Sequence, residues 1–201
     1  MKVSIWPKLF LPMLFWAPAA AAQERSFNIL VGANYPIELG DAGAELSPKA
    51  GFVLGLDYWV KNKKGQVWSA GASFNSFRRK GDVTVNGQIL PQDETLEYLN
   101  LHGAPLIWML GKKERWYAEA GGFVNYLLRQ ETESSGNVTI NTELFQRIYF
   151  GLSAGAGVRL GDESGSKLLI GLRNDLGLLS FGAGPRSLKF NAVSLFVGLG
   201  I

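Results

Sequence analysis

The chain has 201 residues, no cysteine, one histidine, 25 glycines and a formal net charge of +3. That length suits one domain, the near-neutral charge excludes a strongly basic nucleic-acid binder, and the lack of cysteine excludes a disulfide framework, a thiolate metal site and a cysteine nucleophile. Glycine well above the roughly 7% average argues against a helical bundle, where each interior glycine costs about 1 kcal/mol.

The first 22 residues read as a secretory signal peptide. Lys2 and Lys8 give a positive start, Leu9 to Trp16 a short apolar stretch interrupted by Pro12, and Ala19-Ala20-Ala21-Ala22 the small residues of a cleavage site before Gln23. The apolar run is too short to cross about 30 Å as a helix. Cleavage is expected after Ala22, leaving residues 23–201 as one domain in or beyond the periplasm of a Gram-negative cell.

No later segment has 18 consecutive apolar residues, so transmembrane helices are excluded. Period-two alternation, the strand signal, recurs along the chain instead. Phe27, Ile29, Val31, Ala33 and Tyr35 alternate with Asn28, Leu30, Gly32 and Asn34. Phe52, Leu54, Leu56, Tyr58 and Val60 alternate with Val53, Gly55, Asp57 and Trp59. Ile148 to Leu160, Leu168 to Asp175 and Ala192 to Ile201 repeat the pattern. Eight such segments are expected, at about 26–36, 48–61, 66–79, 95–110, 115–131, 147–160, 167–180 and 187–200. Each reaches the roughly 9–11 residues that a tilted strand needs to cross a bilayer. The connections 62–65, 111–114 and 161–166 are short, whereas 37–47, 80–94 and 132–146 are longer and polar. Short turns on one rim and longer loops on the other predict an all-β fold: an eight-stranded antiparallel up-and-down transmembrane β-barrel with both termini in the periplasm.

Alternation alone does not say which face points outward. A soluble lipocalin-like binder has an apolar inside and a membrane barrel an apolar outside. The less apolar face here is rich in Gly, Ser, Asn and Ala, which suits the narrow interior of eight strands. Beyond the first 22 residues the tryptophans are Trp59, Trp68, Trp108 and Trp116, all near the two Lys-rich short turns. They are expected as an interfacial girdle, although parity puts Trp59 and Trp108 on the polar face. A bulge near Gly103–Pro105 would turn Trp108 outward. Tyr35, Phe77, Tyr98, Tyr126 and Phe181 are expected as a second girdle at the long-loop ends.

Tyr98-Leu99-Asn100-Leu101 with Ala104-Pro105-Leu106-Ile107 resembles the "YLEIPLLLKY" strand of PorT-like outer-membrane β-barrel proteins. Trp116 to Phe123 with Tyr126-Leu127-Leu128 is similar to that family's next strand. Tyr149 to Leu152 with Ala154 to Val158 is similar to its "DFGLVAGAGV" strand, Leu168 to Leu179 to its seventh, and Ser194 to Ile201 to its last. The match covers about residues 95–201 well and 26–90 loosely. The resemblance implies an outer-membrane location, and the chain is read as non-enzymatic, with an envelope structural or adaptor role. A namesake of the family is implicated in type IX secretion, a role not carried over to this chain.

Candidate chemistry is sparse. His102, the sole imidazole, falls on the polar face with Asn100 and has no serine two residues away. It is read as a lumen or rim polar residue. A lipid-modifying barrel enzyme, which would need a lipid-facing Ser/His/acid group, is the alternative. No catalytic, cofactor-binding or metal-ligating residues are expected. Asp57, Glu119, Arg159 and Arg173 share the polar face near the short-turn rim and are expected to form a lumen charge network. Glu119 and Arg159 are expected as its central pair, because buried charges must be paired. Arg78-Arg79-Lys80 begins a long loop and reads as a solvated base, with contact to lipopolysaccharide phosphates as the functional alternative. The acidic, Ser/Thr/Asn-rich stretch 130–143 reads as surface. The expected surroundings are outer-membrane lipid and lipopolysaccharide, with an envelope protein as partner through the outer loops, and no nucleic acid.

Overall fold

The computed structural model describes residues 22–40, 46–85, 88–111, 113–134, 147–161, 166–180 and 188–201. The expected signal peptide therefore lies, apart from Ala22, outside the described residues. The described residues form eight strands: β1 (Ala22–Gly40), β2 (Leu46–Asn62), β3 (Val67–Val85), β4 (Gln88–Leu110), β5 (Trp116–Ser134), β6 (Ile148–Leu160), β7 (Lys167–Ser180) and β8 (Leu188–Gly200). Every strand pairs antiparallel with its sequence neighbours, and β1 pairs β8 to close the ring. Closure removes the two open edges that a sheet in lipid cannot leave unpaired.

The outer wall is apolar. Phe27, Ile29, Val31, Leu54, Leu56, Leu101, Val124, Leu152, Leu172, Leu195 and Val197 all project outward and exposed. A soluble protein rarely tolerates a contiguous apolar patch beyond a few hundred Å², so the solvent of this belt is lipid. The interior is the reverse of a lipocalin. Asn28, Asn34, Asp57, Ser69, Ser73, Asn100, His102, Glu119, Asn125 and Arg173 are buried there.

The structure departs from the sequence expectation between residues 80 and 94. A long polar loop was expected there. Instead, β3 and β4 continue as a ladder to Val85↔Gln88. Arg79, Gln92, Glu94 and Leu96 turn inward while Arg78 and Lys80 stay outside. The alternation persists, but Arg78 to Asp82 and Gln92 to Glu94 put charged and polar residues on both faces, so hydrophobic contrast does not report it there. With β5, paired as far as Gln92↔Ser134, these strands make a tall wall on the long-loop side. β6 and β8 have only 13 residues each, against 23 in β4.

Strand β4 carries the expected bulge. Its register shifts against β3 between Val67 and Ser69 and against β5 between Gly103 and Leu106. Pro105 has no N–H for a ladder bond. Pro105 and Leu106 both point outward, so Ile107 returns to the interior and Trp108 faces lipid.

Candidate functional site

The middle of the lumen gathers Asp57, His102, Glu119 and Arg173 from four strands, with Asp175 of β7 beside them and interacting with Arg173. Glu119 on β5 pairs in register with Gly155 on β6, and Gly155 with Arg173 on β7. Gly155 has no side chain to block the row, so Arg173 Nε donates to Glu119 Oε1 across it at 2.8 Å. A Cβ on Gly155 would stand 2.7 Å from that same oxygen. The row Asp57–Gly71–His102 on β2, β3 and β4 repeats the device. His102 Nε2 lies 3.6 Å from Asp57 Oδ1, passing over Gly71. Arg173 then joins the two rows across the lumen, with Nη2 3.5 Å from Asp57 Oδ2. Its guanidinium also lies 5.4 Å from the Phe196 ring centroid. An isolated charge in such a place suffers severe desolvation. One guanidinium facing two carboxylates offsets that cost.

Arg159 lies elsewhere. It aligns with Leu169 in the β6–β7 ladder, and its N–H donates to Arg115 O at 2.6 Å, at the short-turn end. It is half-buried there, around a small recess with Glu24, Arg25, Lys61, Glu114 and Lys167. The expected Glu119–Arg159 pair is therefore corrected to Glu119–Arg173. Both arginines share the inward parity, but the ladder sets Glu119 opposite Gly155, four residues up β6 from Arg159.

The tryptophans divide in two. Trp59 is 4% exposed, whereas Trp108 and Trp116 are 49% and 61% exposed on the outer wall. Trp68 is half-buried. Trp59 is thus corrected from the girdle to the lumen. It shares inward parity with Asp57 and donates its indole N–H to Asp57 Oδ2 at 3.0 Å. Its ring stands edge-on to Tyr117, centroids 5.0 Å apart at 82°. Trp59, Tyr117, Val67, Ala104, Ile107 and Leu169 pack into an apolar layer beneath the charges.

A second layer closes the lumen above them. Phe77, Leu96, Tyr98, Phe123, Tyr149 and Ala192 cluster there. Tyr98 and Tyr149 meet edge-on at 5.3 Å, and Phe123 and Tyr149 at 5.8 Å. Phe77 and Tyr98 were expected in the upper girdle; their parity and burial set them inside. Tyr35 and Tyr126 do face outward, and Phe181 lies outside the described residues. Above this layer, Arg79 pairs with Glu94, its Nε donating to Oε2 at 2.8 Å, and Gln130 Nε2 donates to Glu94 Oε1 at 2.9 Å. These three were not anticipated as a group. Asn86-Gly87, a strong hairpin signal, would have located the long β3–β4 ladder that brings them together.

His102 faces the lumen, not lipid. Its Nδ1 lies 2.9 Å from Asn100 Oδ1 and its Nε2 faces Asp57, so both ring nitrogens already face side-chain oxygens. Arg78 and Lys80 lie 3.6 and 3.9 Å from Asp93.

An apolar outer wall around a ring of eight strands, with a polar interior capped by two aromatic layers, defines an eight-stranded outer-membrane-type β-barrel. No protein-family model matches the chain, and no curated protein sequence does. Among solved structures it is similar to Neisserial surface protein A, with 13% identity over 89% of this chain and 99% of that one, at a TM-score of 0.49. It is similar to Ail, the attachment invasion locus protein of Yersinia pestis, in complex with the heparin analogue sucrose octasulfate, with 15% identity over 89% and 100% of the chains and a TM-score of 0.44. It is also similar to the outer membrane protein OprG from Pseudomonas aeruginosa, with 12% identity over 89% and 95% and a TM-score of 0.42. At these identities the likeness says nothing about ligands.

Proposed function

We propose that this chain is a non-enzymatic, PorT-like integral protein of a Gram-negative outer membrane, exported with cleavage after Ala22. In this reading it serves as an envelope structural or adaptor protein, through its outer loops and rims. The observation that carries the reading is the filled lumen: two aromatic layers enclose an Asp57–His102–Arg173–Glu119 cluster. An eight-stranded barrel has an interior just wide enough for its side chains, and this one spends that interior on packing and ion pairs. What remains available to a partner is the outside. The β3–β4–β5 wall rises well beyond the lipid belt and supplies an adaptor surface. At its base Lys49, Arg78 and Lys80 face outward on adjacent strands. They suit the phosphates of lipopolysaccharide, while Arg79 is engaged by Glu94 inside.

The reading is tested by expressing the full chain in a Gram-negative host. The protein should fractionate with outer membranes, its sequence should start at Gln23, and lipid A should keep its mass. Affinity capture from detergent-solubilised outer membranes should retain an envelope partner that is lost when residues 135–146 are replaced by a short Gly/Ser linker. Recovery from the soluble periplasm would favour the lipocalin-like binder. Deacylated lipid A would favour the enzyme.

A further inference from the structure

Among the described residues the outer wall is interrupted beside the β3–β4 seam. The β3–β4 ladder ends at Val67↔Ile107, yet β4 continues against β5 to Leu110↔Trp116. Met109 and Leu110 thus run on past the start of β3, with the turn Lys64–Gly65–Gln66 beside them. The outward step at Pro105 and Leu106 adds a raised upper edge. The result is an open notch of about 460 Å³ at the short-turn end of the lipid belt. Its apolar sides include Trp68, Leu106, Trp108 and Leu110, and Lys64 and Glu114 stand at its lower mouth. The volume lies in the range of pockets that hold ligands of several hundred daltons.

We propose that this notch seats a single zwitterionic glycerophospholipid of the periplasmic leaflet, with a primary ammonium in its headgroup. The inference rests on the outer-membrane reading above. Three features point to that occupant. The aromatic walls lie at the depth where tryptophans mark the membrane–water boundary, so a chain between them enters the belt while the headgroup stays at the rim. The mouth carries one cation and one anion, matching a phosphate and an ammonium held on one headgroup. Glu114 Oε2 is engaged by Lys61 Nζ at 2.7 Å, which leaves Oε1 to accept from the ammonium. A quaternary ammonium has no N–H to give, and a glycerol headgroup carries no cation for Oε1.

The test is photo-crosslinking. The unmodified barrel is reconstituted into phosphatidylcholine vesicles containing a small fraction of phosphatidylethanolamine with a diazirine in one acyl chain. It is then illuminated, digested and mapped by mass spectrometry. Adducts on segments 66–69 and 105–110 should exceed those on the wall bearing Leu172 and Leu195 by roughly tenfold, equivalent to about 1.4 kcal/mol. Leu106→Trp, which fills the notch, should bring the two walls to parity, whereas Leu195→Trp should not. Lys64→Glu, at an exposed turn position that leaves folding intact, should lower notch adducts while the other wall stays constant. Unlabelled phosphatidylethanolamine should displace the probe at lower concentration than phosphatidylglycerol. Equal labelling of both walls in the unmodified protein would identify ordinary boundary lipid and overturn the site. Equal competition by the two headgroups would overturn its selectivity, and cross-links between two protein copies through the notch would make it a protein interface. A chain that does not insert into vesicles at all would overturn the membrane reading together with the site.

Discussion

Removing Arg173 is the most informative change to the lumen. Its Nε lies 2.8 Å from Glu119 and its Nη2 3.5 Å from Asp57. Arg173→Met keeps most of the side-chain volume but leaves Asp57, Glu119 and, beside them, Asp175 in the interior without their shared cation. Breaking a buried pair this way costs about 3–5 kcal/mol, most of it the penalty of the orphaned charge. Arg159→Met, at the half-buried rim, should cost under about 1 kcal/mol. Both variants, with Glu119→Gln, are to be unfolded in urea from lipid vesicles, following tryptophan emission. A double-mutant cycle should give a coupling of about 1–3 kcal/mol for Glu119 with Arg173, and close to zero for Glu119 with Arg159. The triple variant Asp57→Asn, Glu119→Gln, Arg173→Met should recover part of the single loss, because it removes the two carboxylates that Arg173 contacts directly and leaves only Asp175 without its neighbour. Equal coupling of Glu119 to both arginines, or an Arg173→Met protein as stable as the original, would refute the arrangement.

Other expectations follow from the same geometry. Gly155→Ala should destabilise by about 1–3 kcal/mol, since its Cβ would meet the Glu119 carboxylate at 2.7 Å and Leu172 O at 3.0 Å; a neutral effect in the same urea titration would show that the row is not close-packed. Among single-tryptophan variants in vesicles of brominated lipid, those keeping Trp108 or Trp116 should be strongly quenched and the one keeping Trp59 weakly. Strong quenching of Trp59 would return it to the outer girdle. Cysteines introduced at Asn86 and Ser135, in connections outside the described residues, should react with an impermeant label on whole cells, and one at Lys63 should not; the opposite pattern would invert the topology.

Much of the barrel is readable from the chain because lipid and lumen impose opposite demands on alternate residues. Phe52 to Trp59 and Ile148 to Leu160 each alternate without error, and the Lys-rich turns at 62–65 and 111–114 mark one rim. The reading weakens where that contrast is absent. From Arg78 to Asp82 and from Gln92 to Glu94 both faces carry polar residues, so a ladder looks like a loop, although Asn86-Gly87 between Val83-Thr84-Val85 and Ile89-Leu90 marks a hairpin. Parity also gives a residue's side of the wall but not its height. Glu119, Arg159 and Arg173 all point inward, and the choice of partner depends on inter-strand register, set by the closure of the whole ring. Register places small residues at heights no local pattern reports, and Gly71 and Gly155 open the two rows that gather the charges. Trp59 and Trp108 have the same parity by count, and the bulge at Pro105 separates them. Here Pro105 gave a usable warning, because a proline cannot sit in a central ladder undisturbed.

The filled lumen is tested most directly by current through the unmodified protein in a planar bilayer. With aromatic layers above and below the Asp57–His102–Arg173–Glu119 cluster, the barrel should insert, as judged by heat-dependent gel mobility of the recovered protein, yet carry no steady unitary current. Large, long-lived and voltage-stable openings would mean that the interior is a continuous water path, contradicting the account.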